Sequence, residues 1–190
     1  MTKLLVVFPG IGYHCDKPLL YYGRKLAAEF GYEECRNLSF TPPVDKIRGN
    51  RSKMEYTFKV LYEQTVNDLS DVKWDEYDDI LFITKSIGTV IATAYIKEYS
   101  VKNVKQVLYT PLEDTFRMMS DECGTTSVAF IGTADPWSDV EKVTELAGEH
   151  GVPIHVYKDV NHSLEGKDTL ANLEVLSDVM ARTKDFLQKG

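Results

Sequence analysis

Five short apolar runs, at 4–8, 80–83, 107–109, 128–131 and 154–157, constrain this chain more than any other feature. Each is too short for a helix, and most lack the polar alternation of a strand with one wet face. Strands buried on both faces read this way, as in parallel sheets covered by helices. The stretch 33–40 is a weaker strand candidate, and its polarity suits an edge. Longer amphipathic stretches separate the runs. Met54, Phe58, Leu61, Thr65 and Leu69 recur at helical steps, as do Leu170, Leu173, Val179, Met180, Phe186 and Leu187. Ser138 with Glu141 reads as a capping box opening another helix, and Gly151 with Pro153 beyond it as that helix's stop. The stretch 87–99 is apolar on nearly all sides, as a central helix packed on a sheet would be.

Strand and helix in alternation imply right-handed crossovers, hence a three-layer α/β/α sandwich around a doubly wound parallel sheet. A length of 190 residues suits one domain over 1–190. Ligands of such sheets bind beyond the carboxyl ends of the strands, so residues that carry function belong in loops that follow strands.

Composition narrows the partners. The net charge of −7 works against a phosphate backbone, so no nucleic-acid partner is expected. The N-terminal apolar run spans five residues, too few for a signal-peptide core or a membrane span. A cytoplasmic protein without a membrane partner is expected. Three scattered cysteines, Cys15, Cys35 and Cys123, suggest neither a disulfide framework nor a metal site.

Three segments meet the strand-end condition. In Thr84-Lys85-Ser86-Ile87-Gly88 an apolar strand runs through Ser86 directly into a helix, the layout of a nucleophile elbow. Gly88 meets the elbow's demand for a small residue, whereas Thr84 stands where glycine is usual. Ser86 could equally be a plain helix N-cap. Asp135 follows the run at 128–131, where it could orient an imidazole or, with Pro136, simply start a turn. His162 follows the last run, where it could serve as general base or lie idle on the surface. Each reading is open alone. Together the three follow the order Ser, Asp, His on three strand ends.

With those residues in view, the sequence resembles the α/β-hydrolase superfamily, in particular small lidless serine hydrolases similar to dienelactone hydrolase. The carriers are Phe8-Pro9-Gly10-Ile11-Gly12, Thr84-Lys85-Ser86-Ile87-Gly88, Gly132-Thr133-Ala134-Asp135-Pro136 and Asn161-His162. The resemblance implies a reduced fold of six parallel strands in the order 2-1-3-4-5-6. It implies Ser86 as nucleophile, His162 as base, Asp135 as acid, and the backbone N–H groups of Ile11 and Ile87 as an oxyanion hole. It also implies a carboxylesterase- or thioesterase-like activity on a small-molecule acyl substrate, with no metal or organic cofactor. The interval between the fourth and fifth strands is too short for an inserted lid, so an open site is expected.

Gly10, Tyr13, His14, Lys85, Pro111 and Trp137 are candidate substrate-lining residues. The run at 46–53, with Lys46, Arg48, Arg51 and Lys53, suggests an anionic substrate group or else a solvated charge run. Two other classes remain. One is a non-catalytic α/β-hydrolase-like domain that binds a ligand or a protein. The other is a nucleotide- or flavin-binding protein, weakened by the lack of GxGxxG and GxxxxGK[ST].

Overall fold

The computed structural model describes residues 2–189. Strands β1 (Lys3–Phe8), β2 (Glu34–Asn37), β3 (Asp79–Lys85), β4 (Val104–Tyr109), β5 (Thr126–Gly132) and β6 (Ile154–Tyr157) form one sheet. Every pairing is parallel, and the order is β2-β1-β3-β4-β5-β6. The connecting helices are α1 (Pro18–Glu29), α2 (Arg51–Asp68), α3 (Ile87–Tyr99), α4 (Glu113–Arg117), α5 (Val140–Glu149) and α6 (Thr169–Gln188). This is the expected six-strand, three-layer α/β architecture.

The absence of polar alternation has a direct cause. Successive strand side chains point to opposite faces, and both faces are covered. Leu5, Val7, Leu81, Ile83, Val107 and Tyr109 pack on one face with Leu19 and Leu20 of α1 and Val179 and Leu187 of α6. Leu4, Val6, Phe8, Ile80 and Phe82 pack on the other with Leu61 of α2 and Ile91 and Tyr95 of α3. Phe116 of α4 and Val143 of α5 continue that second layer over Leu108, Ala129 and Ile131. The weak strand at 33–40 is β2, at the edge, and none of its four residues is fully buried. Among the described residues, no helix is long and apolar enough to cross a membrane. The three cysteines carry free thiols.

Some local expectations change. The cap of α5 is Asp139, not Ser138: its carboxylate accepts from the Lys142 N–H at 3.1 Å. The Ser138 hydroxyl is engaged elsewhere, donating to the Pro111 carbonyl at 3.1 Å. The stop at Gly151 holds: with φ at 65° it ends α5 in a Schellman pattern, Gly151 N–H to Gly148 O and Val152 N–H to Ala147 O. The apolar face read along α6 is not uniform. Val179 and Leu187 are buried, but Leu170 and Leu173 at its start are exposed.

β5 ends in Gly132, which brings the loop after β6 close. A Cβ at Gly132 would overlap the Val160 carbonyl, while Ala134 N–H donates to that same oxygen at 3.0 Å. Gly132→Ala is therefore expected to destabilise the fold by about 1–3 kcal/mol, the usual range for overpacking. Urea unfolding should show a lower midpoint at an unchanged slope.

Candidate active site

A turn of one residue separates β3 from α3. That residue, Ser86, adopts φ 56° and ψ −126°, a region non-glycine residues avoid. Hydrogen bonds on both sides hold it there. Ser86 N–H donates to Tyr109 O at 3.0 Å, and Ser86 O accepts from Thr89 N–H at 2.8 Å and from the Thr89 hydroxyl at 2.7 Å. The crossing is tight enough to require glycine at position 88. A Cβ there would lie 2.5 Å from Pro9 O and 2.6 Å from Phe8 O.

Thr84 fits because it still belongs to the strand, where β-branched residues pack well. It is fully buried, and its hydroxyl donates to Val107 O at 2.9 Å. The Ser86 side chain does not cap α3. It meets His162 instead, Oγ to Nε2 at 2.7 Å.

His162 Nδ1 lies 2.7 Å from Asp135 Oδ2. With the proton on Nδ1, the imidazole donates to Asp135 and accepts from Ser86. The Asp135 side chain is fully buried, and its other oxygen accepts from Trp137 N–H at 2.9 Å. Asn161, next to His162 in the chain, braces the histidine loop. Its side-chain oxygen accepts from Ser163 N–H at 2.7 Å, and its own N–H donates to Glu165 O at 2.9 Å. Thr133 ties this loop to the acid's loop by accepting from Asp159 N–H at 2.8 Å. Burial pushes the His162 pKa below the ordinary histidine value. The Asp135 hydrogen bond and charge oppose that, and the Lys85 charge adds to it.

Gly10 and Tyr13 close the turn after β1 by mutual backbone hydrogen bonds of 3.1 and 3.2 Å, with Gly12 at φ 72°. Ile11 sits at the tip of this turn and Ile87 opens α3. Among the described residues, neither N–H donates to a protein acceptor.

A cavity of about 830 Å³ opens beside Ser86 and His162. Ile87 and Val90 of α3, Met54 and Phe58 of α2, Leu112 and Met118 form much of its wall, with Ile11, Ile47 and Trp137. Its charged groups are paired: Arg51 with Glu55 and Arg117 with Asp114, each at 2.7 Å. Of the other basic residues at 46–53, Arg48 lies 5.7 Å from the Trp137 ring and Lys53 donates to Asp45 O at 3.4 Å. The two arginines that line the cavity, Arg51 and Arg117, thus already have carboxylate partners. The wall is thus shared between the β4–β5 interval, through Leu112 and Met118, and the start of α2 with the segment before it.

Of the candidate substrate-lining residues, Trp137 lines this cavity, its ring 5.9 Å from that of His162. The others are placed elsewhere. His14 is exposed and accepts from Asp16 N–H. Tyr13 is buried, with its hydroxyl accepting from Leu19 N–H. Pro111 is buried behind Ser138. Gly10 lies beneath Ser86, and Lys85 is buried. In the sequence Met54 and Phe58 show only the periodicity of an apolar helix face. Their partial exposure marks where that face leaves the core for the cavity. Among the described residues, no group of three or more metal-ligating side chains is placed to hold a metal ion.

No family model and no curated protein matches the chain. Solved structures do. A protein of the alpha/beta hydrolase superfamily from Xanthomonas campestris pv. campestris is 13% identical with a TM-score of 0.67, covering 100% of both chains. An esterase of Pyrococcus furiosus is 14% identical with a TM-score of 0.62, covering 98% of this chain and 83% of its own. An alpha-beta serine hydrolase homologue from Coxiella burnetii is 14% identical with a TM-score of 0.55, covering 95% and 84%. The chain has the α/β-hydrolase fold.

If Asp135 holds the His162 pKa up against burial, Asp135→Asn must let it fall further. Following the His162 ring protons by NMR from pH 4 to 8 should show a lower midpoint in the variant than in wild type.

Proposed function

We propose that this protein is a serine hydrolase that cleaves ester-type bonds of apolar acyl substrates by two-step acyl transfer. The observation that carries this reading is the unbroken chain from the Ser86 hydroxyl through His162 to buried Asp135, with both links at 2.7 Å. In the first step Ser86 Oγ attacks the substrate carbonyl while His162 Nε2 takes the hydroxyl proton. Asp135 fixes the imidazole tautomer and stabilises the imidazolium. The carbonyl electron pair moves onto oxygen, which accepts from the N–H groups of Ile11 and Ile87. As the pair returns, the alcohol or thiol leaves with the proton from His162. In the second step water, deprotonated by His162, releases the acid and restores Ser86.

The strained backbone at Ser86 supports this reading, since the turn exposes the hydroxyl above the sheet edge. The unused N–H groups at 11 and 87 support it too, because loss of one such donor costs about 2.7–4 kcal/mol in serine hydrolysis. Thr84 in place of the usual elbow glycine would favour a non-catalytic binding domain, but its buried hydrogen bond within the strand is compatible with the elbow.

The cavity argues for the apolar class. Its volume lies within the roughly 300–1,000 Å³ of ligand pockets. A charged acyl chain would have to shed its water against aliphatic and aromatic walls, and the arginines that line the cavity are already paired.

A fluorophosphonate probe should label wild type and not Ser86→Ala. Labelling that persists in the variant would remove Ser86 as nucleophile. With a series of straight-chain nitrophenyl esters, kcat/KM should rise roughly fourfold per added methylene until the cavity fills, as burial of about 0.8 kcal/mol per methylene requires. Met54→Trp should shorten the best chain while acetyl ester turnover persists. A flat series would discard the apolar class and leave the serine mechanism standing.

A further inference from the structure

The apolar layer on the α3 side of the sheet is split into two groups, one around Ile96 and Val104, the other around Leu108 and Val143. A second cavity, of about 140 Å³, borders both groups. It shares no lining residue with the cavity beside Ser86. Gln106 of β4 and Ser127 of β5, opposite each other in register, supply its sheet side. Thr93, Ile96 and Lys97 of α3 supply its helix side.

Gln106 breaks the pattern of this sheet. By strand alternation it shares a face with Val104 and Leu108, which are fully buried, yet it is itself only 1% exposed. Six buried side-chain atoms lack a hydrogen-bond partner among the described residues. Three of the six, Gln106 Oε1, Thr93 Oγ1 and Thr125 Oγ1, belong to residues around this one cavity. Thr93 had an internal alternative. Thr65, Thr144 and Thr183 also stand in helices, and each donates to the carbonyl four residues back, at 3.0, 2.7 and 2.8 Å. Thr93 makes no such bond, although it is 4% exposed. Buried polar groups without partners are costly, and a cluster of them around one opening points to a ligand that pairs with them. Water would serve the polar atoms but would be short of partners against Ile96, Met119 and Val152, which line the same space.

The lining also fixes the chemistry of that ligand. Gln106 Oε1 only accepts, so the ligand must carry a donor. The threonine hydroxyls can donate, so it can carry an acceptor as well. Lys97 and His150 border the cavity, and among the described residues no carboxylate does. Lys97 is exposed and makes no ion pair among the described residues. At roughly 30 Å³ per water, the space is that of four or five waters, or a molecule of about six heavy atoms.

We infer that this cavity is a binding site for a small α-hydroxy carboxylate. The hydroxyl donates to Gln106 Oε1, and the carboxylate accepts from Thr93 and Thr125 on the side of Lys97. The short alkyl part rests against Ile96, Met119 and Val152. The site goes beyond the serine-hydrolase reading and does not depend on it.

Lactate, propionate and propylene glycol share one carbon frame and separate the two demands, since propionate lacks the hydroxyl and propylene glycol the carboxylate. Each is titrated into the isotope-labelled full chain and followed by NMR at the backbone amides and the Gln106 side-chain amide. Lactate should shift Thr93, Gln106 and Thr125 and saturate, with one enantiomer preferred. Propionate and propylene glycol should bind about tenfold more weakly or worse, as a site built around a hydrogen bond rejects analogues that lack it. Thr93→Val and Gln106→Met should each weaken lactate by a similar factor. Neither should lower the urea midpoint, because no protein partner is stranded by the change. Lactate shifts that never saturate, or that saturate equally in both variants, overturn the site. Equal binding of propylene glycol overturns the carboxylate, and equal binding of propionate overturns the role given to Gln106.

Discussion

A parallel sheet delivers every strand's carboxyl end to one edge, and in this molecule that constraint assembles the site. Ser86, Asp135 and His162 are far apart in the chain but follow β3, β5 and β6, so the topology alone brings their loops to one rim. Rim proximity is not hydrogen-bonding distance, however. The remaining ångströms come from close backbone packing where side chains are absent: Gly88 under the carbonyls of Phe8 and Pro9, and Gly132 against Val160. The same crowding fixes Ser86 in a conformation that costs of the order of 1–3 kcal/mol. A strand hydrogen bond on one side and the first turn of α3 on the other hold it in place.

What could be read from the sequence follows from this physics. Strands covered on both faces leave uninterrupted apolar runs, so β1, β3, β4, β5 and β6 were visible, as was the polar edge strand β2. The loops bearing Ser86, Asp135 and His162 were visible because strand ends are where such sheets place chemistry. Periodicity, by contrast, reports that a helix face is apolar but not what it touches. Leu61 meets the core, Met54 meets the cavity, and Leu170 meets solvent, yet all three carry the same signal. Ser138 and Asp139 were both eligible caps. The choice between them was made by the Pro111 carbonyl, a contact 27 residues away in the chain.

Lys85 shows how strand alternation overrides adjacency in the chain. Its place beside Ser86 suggested a substrate contact. Counting by twos from Leu81 through Ile83 puts it on the opposite side, inside the layer formed by α1 and α6. Sequence adjacency and spatial adjacency part at a strand end, because neighbours in a strand face opposite ways.

The basic stretch at 46–53 illustrates a related point about charge. Its formal charge invites an anion, but Arg51 meets Glu55 one helical turn on and Arg48 rests against Trp137. Trp137 thus neighbours both the guanidinium of Arg48 and the ring of His162, and its backbone N–H donates to Asp135. A single residue connects the covering segment to both the proposed base and the proposed acid. An apolar acyl chain that fills the cavity would also displace water from beside Ser86. In the lower local dielectric that follows, the fixed N–H dipoles of Ile11 and Ile87 would act more strongly on a developing oxyanion. The apolar wall would then serve the reaction as well as the choice of substrate, which is why chain length should register in kcat as well as in KM.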